Sequence, residues 1–274
     1  MASQQGFEYE KNAAAYLHLK GFSPTTNGAG ASSDRPDIML SVHGEQSGCE
    51  LKISPTAGGS LVLKYYSKKT PHWQFGEVDH DETEKNFLRE LATRSGVLQA
   101  VNSKWNIPPF LIEDRDSNHE QIMLKIPLRQ RYEADLKACT DVKIPLESSA
   151  MSNYYNIKDT YYINIGTHGF FLLGNRDPLG LNDKLRKKNK PIVPRFESVA
   201  KITARVRCQS KGVTKADAAE KSKGQIGAQG YQFTFTLEFS LATNSSPYNI
   251  APLASGGKSV TILSGKDALL DCFR

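Results

Sequence analysis

The sequence has few of the residues that build disulfide frameworks or zinc sites. Its 274 residues include only 4 cysteines, Cys49, Cys139, Cys208 and Cys272, which lie far apart and form no Cys-x-x-Cys pair. Disulfide scaffolds and structural zinc sites usually depend on closely spaced cysteines. We therefore expect reduced and mostly buried thiols.

Long apolar runs are also absent. No stretch approaches the roughly 20 apolar residues that span a bilayer, and residues 1–9 lack the basic start and apolar core of a secretory signal. We expect no membrane partner and a cytoplasmic location. The sequence also lacks a Gly-x-x-x-x-Gly-Lys-Ser/Thr loop and a Gly-x-Ser-x-Gly elbow, which argues against ATP-driven translocation and esterase chemistry.

Acidic residues are outnumbered by basic ones. Lysine and arginine total 35 against 29 aspartates and glutamates, so the formal net charge is +6. Such an excess suits a polyanionic partner such as DNA without requiring one.

The periodicity of apolar residues predicts an α/β fold with a β-rich C-terminal part. Helices are expected at residues 6–20 and 79–95, and a hairpin at 38–42 and 49–53 with a turn at 43–48 and a loop at 55–60 after it. A third strand is expected at 61–66, and aromatic and β-branched residues predict two short strands or one bulged strand at 161–173. Alternating residues at 202–208 and 231–239 give each segment one apolar and one polar face and predict a pair of antiparallel strands. We divide the chain into a core at 1–145 and a β-rich region at 146–274, with a single domain as the alternative.

Three carboxylates and one lysine in the first quarter carry the chemistry that we expect. Glu50 and Lys52 are two residues apart on a strand, so they project from the same face, and Asp37 begins the facing strand. Glu10 shares a helix face with Phe7, Ala14 and Leu17, which predicts a carboxylate in a buried stripe that needs a charged partner.

The arrangement resembles the signature of the PD-(D/E)XK nuclease superfamily. Pro36-Asp37 is followed, after twelve residues, by Glu50-Leu51-Lys52. The helix before it, with Gly6, Glu10, Ala13, Tyr16-Leu17 and Gly21-Phe22, is similar to the opening helix of the Holliday-junction-resolvase-like and Mrr-like branches.

The resemblance implies a restriction-endonuclease-like core, a mixed sheet flanked by helices, and a site for Mg²⁺, with Mn²⁺ as a substitute. Asp37, Glu50 and the carbonyl of Leu51 would bind the ion, and Glu10 would bind it through water or hold a second ion. Lys52 would orient the attacking water or stabilise negative charge on the phosphate.

We therefore expect a metal-dependent DNA endonuclease of the restriction type, acting on duplex DNA. Duplex DNA has twofold symmetry, which favours a homodimer if both strands are cut at one site. One alternative is a structure-specific nuclease that processes junctions or replication intermediates, as a phage enzyme would. The other is a non-catalytic DNA-binding protein with an inactive nuclease-like core.

Basic residues outside the signature are candidates for phosphate contact. The candidates for DNA binding are Lys64, Lys68, Lys69, Arg186, Lys187, Lys188, Lys201, Arg205 and Arg207. Trp73 either stacks on a base or, as is more common, packs in the core. His168 has no partner at metal-ligand spacing, so we expect a structural role for it.

Overall fold

A computed structural model describes most of the chain. The described residues are 4–22, 24–26, 35–55, 57–66, 72–75, 83–105, 133–210, 231–242, 246–251 and 266–274. Within them the helices are α1 (Gln4–Leu19), α2 (Thr83–Arg94), α3 (Val97–Lys104), α4 (133–138), α5 (Ser149–Asn156), α6 (Leu181–Lys187) and α7 (Lys266–Phe273). The strands are β1 (Thr25–Thr26), β2 (Ile38–Val42), β3 (Glu45–Lys52), β4 (Ala57–Tyr66), β5 (His72–Phe75), β6 (Val142–Leu146), β7 (Thr160–Ile165), β8 (Gly169–Leu172), β9 (Ala200–Ser210) and β10 (Tyr231–Leu241).

The strands form two sheets, so the predicted mixed α/β class is confirmed. The first sheet has the order β1-β2-β3-β7-β8, in which β3 and β7 run parallel and the other pairs run antiparallel. The second sheet has the order β5-β4-β10-β9-β6. The expected pairing of β9 with β10 is therefore present.

The chain forms two compact units, and neither is a continuous segment. The first contains residues 1–58, 147–202 and 239–274, and the second contains 59–146 and 203–238. This division differs from the proposed one at 145/146, because the sheet that carries the hairpin takes β7 and β8 from the later part of the chain. Two parallel strands must be joined by a long crossover connection. The connection from β3 to β7 includes residues 59–146, which are the first segment of the second unit.

The β2–β3 hairpin turns more tightly than expected. Val42 pairs with Glu45, and His43 and Gly44 both have positive φ, 49° and 91°. A two-residue loop with positive φ at both positions matches the twist of the strands. The predicted turn at 43–48 is therefore too long, because residues 45–48 already belong to β3. The predicted loop at 55–60 is likewise too long, since β4 begins at Ala57.

Each face of the first sheet has its own packing. On one face, α1, α6 and α7 contribute to an apolar cluster that includes Ala13, Cys49, Leu51 and Phe273. Ile163 and Ile165 lie on either side of Asn164 in β7 and are fully buried without belonging to that cluster. They lie on the opposite face, where α5 contacts β7. Glu50 and Lys52, which pair with Ile163 and Ile165, share that face.

Gly48 allows the two strands that carry the signature to approach closely. An added Cβ at Gly48 would lie 2.6 Å from Cβ of Pro36 and 2.8 Å from Oγ1 of Thr160. Neither atom belongs to a flexible side-chain end, so the backbone would have to move. Pro36 directly precedes Asp37, so this contact also fixes the start of β2.

Replacing Gly48 with alanine is expected to destabilise the protein by about 1–3 kcal/mol, the usual cost of overpacking. It should also displace Asp37, because the preceding Pro36 must shift. Thermal unfolding checks the first effect, with Ser41→Ala on the exposed side of β2 as the control. Equal melting temperatures for the two variants would contradict the close approach.

Three smaller expectations are also decided by the described residues. All four cysteines are free and buried. Trp73 is buried, donates from Nε1 to the carbonyl of Trp105 at 3.2 Å and packs edge-to-face on Phe233, so the packed alternative is confirmed. Thr234 and Thr236, which belong to the polar face predicted for β10, are both buried. No helix among the described residues is long and apolar enough to cross a membrane.

Candidate functional site

Asp37 and Glu50 come together at the open end of the β2–β3 hairpin. Ile38 pairs with Cys49, and continuing this antiparallel register by one residue places Asp37 opposite Glu50. Asp37 precedes β2 and is held by the backbone of β3, since the N–H of Leu51 donates to its Oδ2 at 2.7 Å. The predicted juxtaposition of these two carboxylates is therefore present in the fold.

Glu50 and Lys52 form an ion pair on one face of β3. Nζ of Lys52 lies 2.6 Å from Oε1 of Glu50, and the exposed fractions of the Lys52 and Glu50 side chains are 22% and 8%. The spacing of two residues on a strand produces this contact. A buried ion pair of this kind holds the lysine head group beside the carboxylates.

The Leu51 carbonyl lies on the same side of β3 as Asp37. The N–H and C=O of one strand residue point towards the same neighbour, and the next residue points the other way. The N–H of Leu51 donates to Asp37, whereas the carbonyl of Lys52 accepts from Gly166 on the β7 side. The Leu51 carbonyl is thus available to a ligand that Asp37 also binds.

Glu10 lies on α1, which contacts β3, but it does not belong to the buried stripe of that helix, so the predicted register of the stripe is wrong. Among the residues of α1 whose side chains are described, the buried ones are Tyr9, Ala13 and Leu17, spaced by four. Glu10 is half-buried at the flank of this stripe. Its charge nevertheless acts on the hairpin, because Glu50 and Lys52 both shift its pKa.

The charge of Glu50 opposes the ionisation of Asp37 and of Glu10. Burial raises the pKa of Asp37 to about 7, and the charges of Glu50 and Glu10 contribute to this rise, against the opposing effects of Lys52 and the Leu51 N–H. Burial, followed by the charge of Glu50, also raises the pKa of Glu10. Three carboxylates thus lie around one lysine, and carboxylates with raised pKa values are common at functional sites.

Lys52 remains protonated at neutral pH. Burial lowers the pKa of its ammonium, but the charges of Glu50 and Asp37, the hydrogen bond with Glu50 and a contribution from Tyr154 outweigh burial and raise it. A lysine held in this state cannot take a proton from water. It can orient a water molecule or stabilise negative charge.

The oxygen atoms of Asp37, Glu50 and the Leu51 carbonyl are of the kind that bind a hard divalent cation. Carboxylate and carbonyl oxygens are the ligands that Mg²⁺ prefers, and a cation would relieve the repulsion that raises the pKa of Asp37. Within the described part of the chain, no group of three or more His, Cys, Asp or Glu side chains is arranged to hold a metal ion. The direct ligands would be two carboxylates and a backbone carbonyl, with Glu10 outside them.

Cation binding at this group is expected to weaken as pH falls. Because the pKa of Asp37 is raised to about 7, a proton competes with the cation below that pH. Apparent Mn²⁺ affinity should drop by up to about tenfold per pH unit below about pH 7, the limit for displacement of one proton. Calorimetric titrations in buffers of different ionisation enthalpy measure the released proton, and a pH-independent affinity would contradict this assignment.

The candidate phosphate contacts at the end of α6 are on the surface. Arg186, Lys187 and Lys188 are all exposed, and Arg186 pairs with Asp183 at 2.8 Å. An exposed pair of this kind is weak, so these cations stay available to a polyanion. Lys68 and Lys69 lie outside the described residues, as does the side chain of Lys64.

The cations on β9 have different surroundings. Lys201 is exposed, whereas Arg205 and Arg207 are half-buried. Arg205 pairs with Asp141 at 2.5 Å and with Glu238 at 3.3 Å. Two carboxylates already neutralise Arg205, so its contacts favour a role in holding the second sheet over the expected phosphate contact. His168 is half-buried and its Nδ1 lies 2.8 Å from Thr167 Oγ1.

A cavity of about 600 Å³ lies between α6 and residues 192–198. Arg186 and Arg195 are among the residues that line it. None of the described lining residues belongs to the acidic group that Glu10, Asp37 and Glu50 form. Ligand sites are often cavities of this volume, but the carboxylates with raised pKa values lie elsewhere. We give more weight to the carboxylates because their chemistry is specific.

Sequence reasoning missed two residues next to the site. Tyr154 of α5 is buried close enough to Lys52 to affect its pKa. Asn164 of β7 is fully buried and pairs in register with Leu51. Both belong to segments more than 90 residues away in sequence, and only the parallel β3–β7 pairing brings them to the hairpin. Polar residues within apolar runs were the available signal.

Comparisons of this chain with protein-family models, curated proteins and solved structures give no match.

Proposed function

We propose that this protein is a metal-dependent DNA endonuclease whose site consists of Glu10, Asp37, Glu50 and Lys52. The observation that carries the proposal is the convergence of Asp37 and Glu50 at the open end of the hairpin, with Nζ of Lys52 2.6 Å from Oε1 of Glu50. Burial and the charges of the two other carboxylates raise the pKa of Asp37 at this site. Phosphodiester hydrolysis needs this combination of a cation site and an adjacent positive charge.

Each residue has a distinct role in the proposal. Asp37, Glu50 and the Leu51 carbonyl would hold Mg²⁺ or Mn²⁺, with Glu10 binding through water or to a second ion. The ion, when bound, would polarise the phosphate and lower the pKa of water. Lys52, held by Glu50, orients the attacking water or stabilises the charge that develops on the phosphate oxygens.

The positive net charge supports DNA as the substrate. The chain carries a formal charge of +6, and the exposed cations Arg186, Lys187, Lys188 and Lys201 can contact phosphates without first breaking a buried pair. A restriction-type enzyme acting on duplex DNA, with a core of the restriction-endonuclease type, accommodates these features. Cleavage of both strands at one site would favour a homodimer.

The test is incubation of the purified full chain with linear duplex DNA, supercoiled plasmid and a synthetic junction. Each reaction contains Mg²⁺, Mn²⁺ or EDTA, beside a variant with Glu50→Ala and Lys52→Ala. We expect metal-dependent cleavage that the double variant lacks. Discrete fragments from linear duplex DNA would support the restriction type, and cleavage only at the branch would establish a structure-specific nuclease instead.

Absence of cleavage in every reaction would overturn the proposal. If the protein then retarded DNA in a gel, equally with Mg²⁺ and with EDTA, the non-catalytic DNA-binding alternative would take its place. That alternative also predicts that the double variant binds DNA as tightly as the native protein does.

A further inference from the structure

A buried amide connects α1 to the strand next to the signature. Asn164 lies in β7 and is fully buried. Its Nδ2 donates to the hydroxyl of Tyr9 at 2.7 Å, and its Oδ1 accepts from the N–H of Ile250 at 3.1 Å. These hydrogen bonds join three segments that are far apart in sequence.

The surroundings of Asn164 are apolar. Tyr9 and Ile250 both belong to the core cluster on the α1 face of the sheet, and Leu51 pairs with Asn164 in register. An amide buried without partners costs about 1–3 kcal/mol. Replacing a buried polar pair by apolar groups of the same shape is often nearly neutral, so these hydrogen bonds are not needed for stability alone.

The hydrogen bonds constrain the orientation of α1 on the sheet. Packing of Ala13 and Leu17 against the sheet tolerates small rotations and shifts of α1, because apolar contacts are non-directional. A hydrogen bond from Asn164 to Tyr9 has a narrow range of length and angle. It therefore fixes both the rotation of α1 and its height above β7.

Glu10 is the next residue after Tyr9 on α1. Any rotation of the helix at Tyr9 moves the Glu10 carboxylate relative to Asp37 and Glu50. The hydroxyl of Tyr9 stays neutral, since burial raises the pKa of this phenol and the hydrogen bond from Asn164 only partly offsets the effect. The connection is therefore a neutral one that adds no charge to the acidic group.

We propose that Asn164 is a positioning residue that, through Tyr9, sets the Glu10 carboxylate against Asp37 and Glu50 for cation binding. This inference rests on the proposed function, because it assigns Glu10 to the cation site. Residues that orient metal ligands from outside the ligand set typically contribute about 10–100-fold to metal affinity or activity.

The test compares Tyr9→Phe with the native chain and with Glu10→Gln, by Mn²⁺ affinity and by cleavage rate. Tyr9→Phe removes the acceptor and keeps the ring, and we expect about tenfold weaker Mn²⁺ binding and a similar loss of rate. In the Glu10→Gln background, Tyr9→Phe should change neither quantity by more than about twofold, because the two residues act through one path.

Tyr16→Phe is the matched control. Tyr16 lies on the same helix, and its buried hydroxyl has no hydrogen-bond partner among the described residues. We expect native Mn²⁺ affinity for this variant. Asn164→Asp retains an acceptor for Ile250 and provides an acceptor for the Tyr9 hydroxyl, so it should recover part of the activity that Asn164→Leu loses.

The outcomes separate the inference from the proposed function. If the native chain binds Mn²⁺ and Glu10→Gln weakens the binding, the cation site stands, and a native affinity for Tyr9→Phe would then overturn the positioning role. Equal losses from Tyr9→Phe with and without Glu10 would overturn it too, since they indicate a general structural effect. A native chain that neither binds Mn²⁺ nor cleaves DNA overturns both.

Discussion

Asp37→Asn is expected to lower the rate of DNA cleavage by at least about 1000-fold, the effect of losing several kcal/mol of metal-assisted stabilisation. Asparagine keeps an oxygen that can accept from the Leu51 N–H, so the hairpin should retain its geometry. The loss would therefore come from the missing negative charge. Single-turnover cleavage with saturating enzyme measures it directly.

The same substitution is expected to stabilise the metal-free protein. The folded-state pKa of Asp37 is raised from 3.8 to about 7, so between these values the folded state binds more protons than the unfolded state does. The contribution of the Asp37 carboxyl to the free energy of unfolding therefore falls as pH rises across that window. Asparagine removes the effect, so Tm should rise at about pH 8 and should be nearly unchanged at about pH 4.

Asp159→Asn is the control for both measurements. Asp159 is exposed and has a φ of 52°, a conformation that asparagine tolerates. We expect native cleavage and native Tm. If Asp37→Asn lost both activity and stability, the loss of activity would reflect unfolding, and the electrostatic role assigned to Asp37 would be wrong.

Substitution of Lys52 is expected to have the second-largest effect. Lys52→Ala should lower the cleavage rate by about 100–1000-fold, the usual cost of removing a group that stabilises charge in the transition state. Removal of the ammonium should leave Mn²⁺ binding intact or tighten it, because one positive charge is lost near the cation. A variant that loses cleavage rate but keeps its Mn²⁺ affinity has lost a group that acts on the reaction, whereas loss of a metal ligand would lower both quantities.

Lys52→Arg tests whether charge alone is sufficient. Lys52→Ala leaves the buried Glu50 without its partner, which costs about 3–5 kcal/mol in typical buried pairs, so its loss of activity needs a folded comparison. Arginine retains the charge but differs in shape and hydration. We expect Lys52→Arg to fold and to remain at least about tenfold slower.

The exposed Lys143→Arg is the control for this substitution. It should cleave DNA at the native rate. Native activity in Lys52→Arg would show that a diffuse positive charge is sufficient, and would remove Lys52 from its specific role in orienting water or stabilising the phosphate.

The sequence predicts the hairpin and α1 well because both have strong local signals. The strand at residues 38–42 is found at the expected bounds, and Glu50 and Lys52 share a face because alternation is a property of the backbone. The proximity of Asp37 to Glu50 follows from antiparallel pairing. Local periodicity thus accounts for the two carboxylates and the lysine.

The sequence does not predict what non-local packing decides. The stripe of α1 was predicted through Glu10 and Ala14, whereas the helix packs on the sheet through Tyr9, Ala13 and Leu17. Local periodicity does not fix this rotation, which depends on the packing against the sheet. The parallel pairing of β3 with β7 joins residues more than 100 positions apart, so Asn164 had no local signal as a neighbour of Leu51. The polar residues at the exposed hairpin end also gave no signal that the turn is limited to residues 43–44.

Binding of Mn²⁺ to the native chain and to Asp37→Asn, followed by electron paramagnetic resonance of the free ion, is the sharpest test of the cation site. We expect the native protein to bind Mn²⁺, Mg²⁺ to compete for the site, and the variant to lose this binding. Equal binding by the two proteins, or no binding by the native protein at millimolar Mn²⁺, would contradict a cation site at Asp37 and Glu50.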